Sequence, residues 1–335
     1  MLITSKLLIF LPTLILGTIL TLSSSSWFAA WMGLEINLMS IAPILINKMT
    51  YPSVEASIKY FMVQAIASTI LILFVTLSAS TQPFSLSPVT ELVFSLMLLL
   101  KAGAAPLHFW FPQVIACSAW PQCILVLTWQ KIAPLVMLCF LNNSIIYLAI
   151  FTSAVIGALG GINQTNIKLI LVYSSMIHSS WMMSLIMTHE MAWLMYFVTY
   201  AMLTLSVSYL FIQMNSLTLN SFYAMKMPWF KKIILLVNML SIAGMPPFLG
   251  FVAKAMALTV LLKSSFTITL ITVMVAASFL AFYFYMRVMY TILFASPISP
   301  HFFNLQITLS TSILMFFPSV SILGSFMIPM LLLAT

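Results

Sequence analysis

Apolar residues run through this sequence in stretches of about twenty, separated by short polar or proline-containing breaks. A stretch of that length crosses the ~30 Å hydrocarbon core of a bilayer as a helix. The pattern predicts about eleven helical units. The first three are 3–22, 26–46 and 55–79, followed by a long unit over 86–118 and one over 121–141. Then come 145–162, 167–187, 190–213, a second long unit over 229–262, and finally 268–295 and 304–333. Tyr51-Pro52-Ser53 and Trp120-Pro121 supply two of the breaks, and a loop with Asn215, Ser216, Asn220 and Lys226 supplies another. The expected fold class is an all-α polytopic membrane protein, a single transmembrane domain over 1–335.

The two long units do not fit that frame as straight helices. Each would extend roughly 50 Å at 1.5 Å per residue, well beyond the hydrocarbon. Each also carries a breaker near its middle, Gly103 to Pro106 in one and Gly244-Met245-Pro246-Pro247 in the other. A single interruption of this kind reads as a tolerated proline kink or an interfacial turn. Two of them, each with a lysine beside it, point to an ion pathway built on broken helices.

Composition enforces the membrane reading. The chain is 63% hydrophobic and 5% charged, with a mean hydropathy of +1.17, whereas a soluble domain carries roughly a quarter of its residues charged. Such extreme hydrophobicity is expected of an organelle-encoded subunit, and no basic segment with a small-residue cleavage site points to a removed signal peptide. The net charge of +8 comes from 12 basic and 4 acidic residues. Nucleic acid is excluded as a partner, because the longest basic cluster is Lys226, Lys231 and Lys232 and no basic face with aromatics exists. The lysines instead set orientation. Lys6, Lys48, Lys59, Lys168, Lys226, Lys231 and Lys232 fall on the side of the N-terminus and Lys263 alone on the other, which places the N-terminus inside. Cys117, Cys123 and Cys139 form no CxxC pair, and neither a dinucleotide fingerprint, a P-loop nor an HExxH is present. With 4 histidines, little remains to hold haem between helices.

Most ionisable residues sit near helix ends. Glu55 and Lys59 are spaced as a favourable pair, Glu91 and Glu190 open their helices, and Arg287 is placed to snorkel. His189 and His301 lie in loops. Four charges remain in the middle of apolar units: Glu35, Lys101, Lys131 and Lys254. Each costs ~2.5–3.5 kcal/mol at the bilayer centre even on the lenient insertion scale, so such groups face a bundle interior or water and mark ion paths. Burial weakens a lysine's hold on its proton and an approaching carboxylate restores it. Lys101 with Glu35 is therefore the natural switch pair, and Lys131 and Lys254 are relay stations. His108, after the first break, and His178, among Ser174, Ser175, Ser179 and Ser180, are relay or water-holding candidates of lower rank.

The segments Trp31–Asn37 (WMGLEIN), Leu100–Pro112 (LKAGAAPLHFWFP), Trp129–Pro134 (WQKIAP) and Gly244–Gly250 (GMPPFLG) with Lys254 resemble the antiporter-like subunits of respiratory complex I, the mitochondrial NADH-ubiquinone oxidoreductase, over essentially the whole chain. The resemblance implies the animal eleven-helix form, with two inverted five-helix repeats at 3–141 and 145–295, two broken helices, and a C-terminal helix at 304–333. It also implies proton translocation, with Glu35, Lys101, Lys131 and Lys254 at the family's relay positions. FMN, iron–sulfur clusters and quinone are then expected on other subunits, with no cofactor or metal in this chain. The implied partners are the other membrane-arm subunits, including further antiporter-like ones, and lipids such as cardiolipin. The implied location is the mitochondrial inner membrane, N-terminus in the matrix and C-terminus in the intermembrane space. Two rival readings stand beside this one. A stand-alone cation/proton antiporter would need more central carboxylates than Glu35, and a structural spacer would leave the buried charges without work.

Overall fold

A computed structural model describes residues 2–46, 49–81, 88–188, 191–214, 218–224, 229–264 and 266–294. The expected span 304–333, with Lys48, His189, Glu190, Asn215, Ser216, Lys226, His301 and the side chain of Lys6, lies outside the described residues. The described residues form fourteen α-helices, and no strand beyond an isolated bridge between Asn166 and Thr218. Seven of the described helical segments are long and apolar enough to cross a membrane: Trp27–Leu45, Tyr51–Leu77, Trp120–Leu138, Ser144–Ile162, Ile167–Met187, Ala192–Met214 and Ile268–Leu293. The chain is a polytopic helical membrane protein. Its packing divides into two compact units after Ser153.

The first unit holds α1 (Leu2–Ser23), α2 (Trp27–Leu45), α3 (Tyr51–Thr81), α4 (Pro88–Ala102), α5 (Trp110–Cys117), α6 (Trp120–Leu127) and α7 (Trp129–Leu138). Helix α2 begins where the Ser26 side chain accepts from the Ala29 amide, an ordinary N-cap. It packs on α1 and α3, and α4 packs on α3 and α7. The unit expected at 86–118 is two helices. α4 stops at Ala102 because Gly103 turns to a φ of 69°, a conformation that favours glycine. The carbonyls left open at that end are met by side chains, with the Trp110 indole donating to Leu100 O at 3.1 Å and Gln64 Nε2 to Lys101 O at 3.4 Å.

The unit expected at 121–141 is also divided, which the sequence reading did not foresee. It breaks at Thr128, with φ −115° and ψ −71°. The Thr128 hydroxyl donates back to Ile124 O at 2.7 Å, a local bond that competes with the helix ladder and bends it. Pro134 adds to the break, since it lacks the amide that would reach the Gln130 carbonyl one turn earlier. Lys131 follows three residues after this discontinuity.

The second unit takes up the end of α8 (Ser144–Ile162), then α9 (Ile167–Met187), α10 (Ala192–Met214), α11 (Leu219–Ala224), α12 (Trp229–Ala243), α13 (Leu249–Lys263) and α14 (Ile268–Leu293). Helix α9, capped by Asn166, is buried on nearly every side and packs against α10, α13 and α14. That burial explains its lack of a polar face. The short helix α11 stands where a loop was expected. The second long unit is likewise two helices, separated at Gly244, whose φ is 84°. Arg287 does not snorkel as expected. Its guanidinium turns inward and donates to Ile162 O at 2.6 Å and to Gln164 O, satisfying carbonyls at the C-terminal end of α8.

Candidate functional site

Four helices bring polar groups together inside the first unit. Lys101, on the last turn of α4, is buried to 5% exposure. Its side chain borders a cavity of about 10 Å³ lined also by Asn37 of α2, Tyr60 and Gln64 of α3, and Gln130 and Pro134 of α7. That is room for about one water, with enough polar partners to hold it. Tyr60 donates its hydroxyl proton to Gln130 Oε1 at 3.1 Å, and Gln130 Nε2 donates to Asn37 Oδ1 at 2.8 Å. The three side chains thus form one buried chain of hydrogen bonds across the bundle.

Glu35 is near enough to act electrostatically on Lys101, but the two are not in ion-pair contact. The carboxylate instead borders a separate groove of about 310 Å³ between α1 and α2, lined by Phe10, Thr13, Met32, Ile36 and Met39. Its Oε2 is buried there without a hydrogen-bond partner. Among the described residues, Glu55 and Lys59 form an ion pair at 2.6 Å on a half-exposed helix surface.

Lys131 is buried to 2% exposure, with its ammonium 5.3 Å from the centre of the Phe111 ring. The same ring packs over the α4 break, where a Cβ on Gly103 would come within 3.1 Å of it. Phe111 therefore stands between the break beside Lys101 and the ammonium of Lys131, a contact worth ~0.5–2 kcal/mol as a cation–π interaction.

In the second unit, Lys254 reaches back from α13 to donate from Nζ to Ala243 O, the last residue of α12, at 2.8 Å. A cation there completes the open carbonyl end of the helix and suits its dipole. Pro246 and Pro247 are exposed in the connecting turn. His178 is buried on α9, with Nδ1 2.9 Å from the Tyr196 hydroxyl and its ring 5.0 Å from that of Tyr200. Of the serines around it, Ser174, Ser175, Ser179 and Ser180 each give their proton to the carbonyl three residues back, at 2.7–2.9 Å.

His108 lies in the turn with Pro106, Nδ1 against Pro106 O at 3.2 Å and its ring stacked on Phe109. A carbonyl only accepts, so Nδ1 carries the proton and this nitrogen is committed to the backbone. Lys168 and Lys232, counted above on the side of the N-terminus, are buried to 6% and 4% exposure. Among the described residues no group of three or more His, Cys, Asp or Glu side chains could hold a metal.

The charges were legible in the sequence; their neutral partners were not singled out. Tyr60 and Gln64 lie four apart on one face of an apolar helix and Gln130 adjoins Lys131, which is the signal that would have found them.

The NADH:quinone oxidoreductase/Mrp antiporter transmembrane family matches residues 24–281. The NADH-ubiquinone oxidoreductase chain 2 of Anopheles gambiae is 40% identical over 292 residues, 85% of each chain. This chain belongs to the NADH-ubiquinone oxidoreductase chain 2 family. The chain 2 of Paradoxurus hermaphroditus is 34% identical over 97% of this chain and 96% of its own. Among solved structures, a chain of respiratory complex I from Thermus thermophilus with bound aureothin shares the fold at a TM-score of 0.83 and 22% identity, over 96% of this chain and 78% of that one. A chain of the Mrp complex from a Dietzia species does so at 0.75 and 16%, over 86% and 61%.

Proposed function

We propose that this chain relays protons as a membrane-arm subunit of NADH:ubiquinone oxidoreductase. The observation that carries the reading is the site at Lys101, where an ammonium inside an apolar bundle borders a polar cavity of one-water size. A structural charge would be expected against a counter-ion; this one faces neutral acceptors that can hold water.

In this reading protons enter from the matrix side, load Lys101 under the influence of Glu35, and pass through Lys131 to Lys254. The lysines alternate between charged and neutral forms as their surroundings hydrate and dry. His108 and His178 are assigned supporting places, His178 through its bond to Tyr196. The chain supplies no redox centre to this scheme; FMN, iron–sulfur clusters and quinone belong to other subunits. Two inverted five-helix repeats, 3–141 and 145–295, with a further span at 304–333, make the eleven-helix architecture. The paired interruptions at Gly103 and Gly244 support it. The subunit sits in the mitochondrial inner membrane with its N-terminus in the matrix and its C-terminus in the intermembrane space, against other membrane-arm subunits and lipids such as cardiolipin.

Lys131→Ala in the intact complex, reconstituted in vesicles, tests the relay. Protons pumped per electron from NADH should fall. Unchanged pumping would leave the chain a spacer, and ion-dependent transport by the isolated chain would make it an antiporter.

A further inference from the structure

One side chain that carries no charge ties together the wall of the cavity beside Lys101. Gln130 precedes Lys131 on α7 and follows the break at Thr128. Its carboxamide is held at both ends, accepting from Tyr60 of α3 and donating to Asn37 of α2. These two bonds fix the orientation of both partners. Because Tyr60 spends its single proton on Gln130, its oxygen has only lone pairs left for other contacts. Gln64 commits an amide proton to Lys101 O, which leaves its own oxygen as an acceptor. The Tyr60 and Gln64 oxygens on the cavity beside Lys101 are therefore acceptors, which suits an ammonium and a single water. The cavity is also too small for a continuous chain of water.

From this geometry we infer that Gln130 is a positioning residue for proton transfer from Lys101 toward Lys131, its neighbour on α7, a latch whose two hydrogen bonds hold the cavity beside Lys101 at one-water size and whose release admits further water. The inference rests on the relay reading of the preceding subsection. Gln130 and Lys131 are adjacent on a short helix already interrupted on its N-terminal side, so a displacement of one moves the other. A shift of the Lys131 ammonium away from the Phe111 ring would pull the carboxamide from Tyr60 and Asn37, and water would enter as the amide withdraws. An amide does not carry a proton at neutral pH. Gln130 thus sets the path without being a station on it.

The test uses the assembled complex in vesicles, comparing NADH oxidation with protons pumped per electron in Gln130→Met, Tyr60→Phe, the double variant and Lys131→Ala. Gln130→Met keeps length and volume and removes both bonds. The expected result is a latch that no longer holds the cavity shut, its closed state weakened roughly fivefold, the worth of one buried hydrogen bond, so that protons leak back and the proton yield per electron falls with the complex fully assembled. The double variant should be no worse than the worse single one, since both remove the same latch. Additive losses, or loss of turnover in an assembled variant, would mean a packing role and overturn the inference. If Gln130→Met fails to assemble, Tyr60→Phe, which removes one oxygen, decides the matter alone. A full effect of Lys131→Ala with none from Gln130→Met or Tyr60→Phe would sink the latch and keep the relay. No effect from any of the variants would sink both.

Discussion

Lys101, Lys131 and Lys254 are the same side chain set against three different partners: a polar cavity, an aromatic ring and the end of a helix. Their surroundings, rather than their chemistry, distinguish their roles. In the proposed relay, the cavity beside Lys101 makes it the site most open to control by water. The Phe111 ring offers Lys131 an attraction that does not depend on a counter-charge. Replacing that ring tests the point: Phe111→Leu should keep the packing against Gly103 while lowering the proton yield per electron in reconstituted complex. Glu55→Gln, on a half-exposed surface, should leave the yield unchanged. The four charged positions could be read from the sequence because a charge in an apolar run is costly wherever it falls. The tyrosine, asparagine and glutamines beside them could not be ranked that way. Their worth comes from neighbours on other helices, and linear order does not reveal which helices touch.

At the scale of elements, the interruptions matter more than the helices. The apolar pattern located spans such as 167–187 to the residue, because a continuous run bounded by a cap leaves little freedom. It also located both glycine breaks, since glycine and proline in mid-span have few other uses. The break at Thr128 escaped, because threonine within an apolar run ordinarily bonds to its own helix without dividing it. Pro134→Ala restores a backbone donor to the Gln130 carbonyl and should stiffen α7. The expected outcome is reduced pumping at normal assembly, measured on vesicles. Gly244→Ala should be harsher. A side chain at a φ of 84° costs ~1–2 kcal/mol, and its Cβ would lie 2.8 Å from the Lys254 ammonium. Both thermal stability and proton yield should drop, the former visible in a melting curve of the purified complex.

For the molecule as a whole, membrane insertion and internal packing pull on the same few charges. Lys168 and Lys232 carry the sign on which the proposed orientation rests, yet the fold draws both inside. Arg287 shows how a cation is accommodated, its fork spanning two carbonyls at the end of α8. Arg287→Lys keeps the charge but loses the fork. It should cost about 1.5–3 kcal/mol, seen as a lower melting temperature and less assembled complex. The Lys254–Ala243 contact has a further consequence. A hydrogen bond from an ammonium is roughly twice as strong as one from a neutral amine. In the proposed relay, a proton leaving Lys254 would therefore loosen the end of α12 and one arriving would tighten it. The backbone at Gly244 would then register the charge on a side chain ten residues away, turning chemistry at one nitrogen into a small mechanical stroke of the helix.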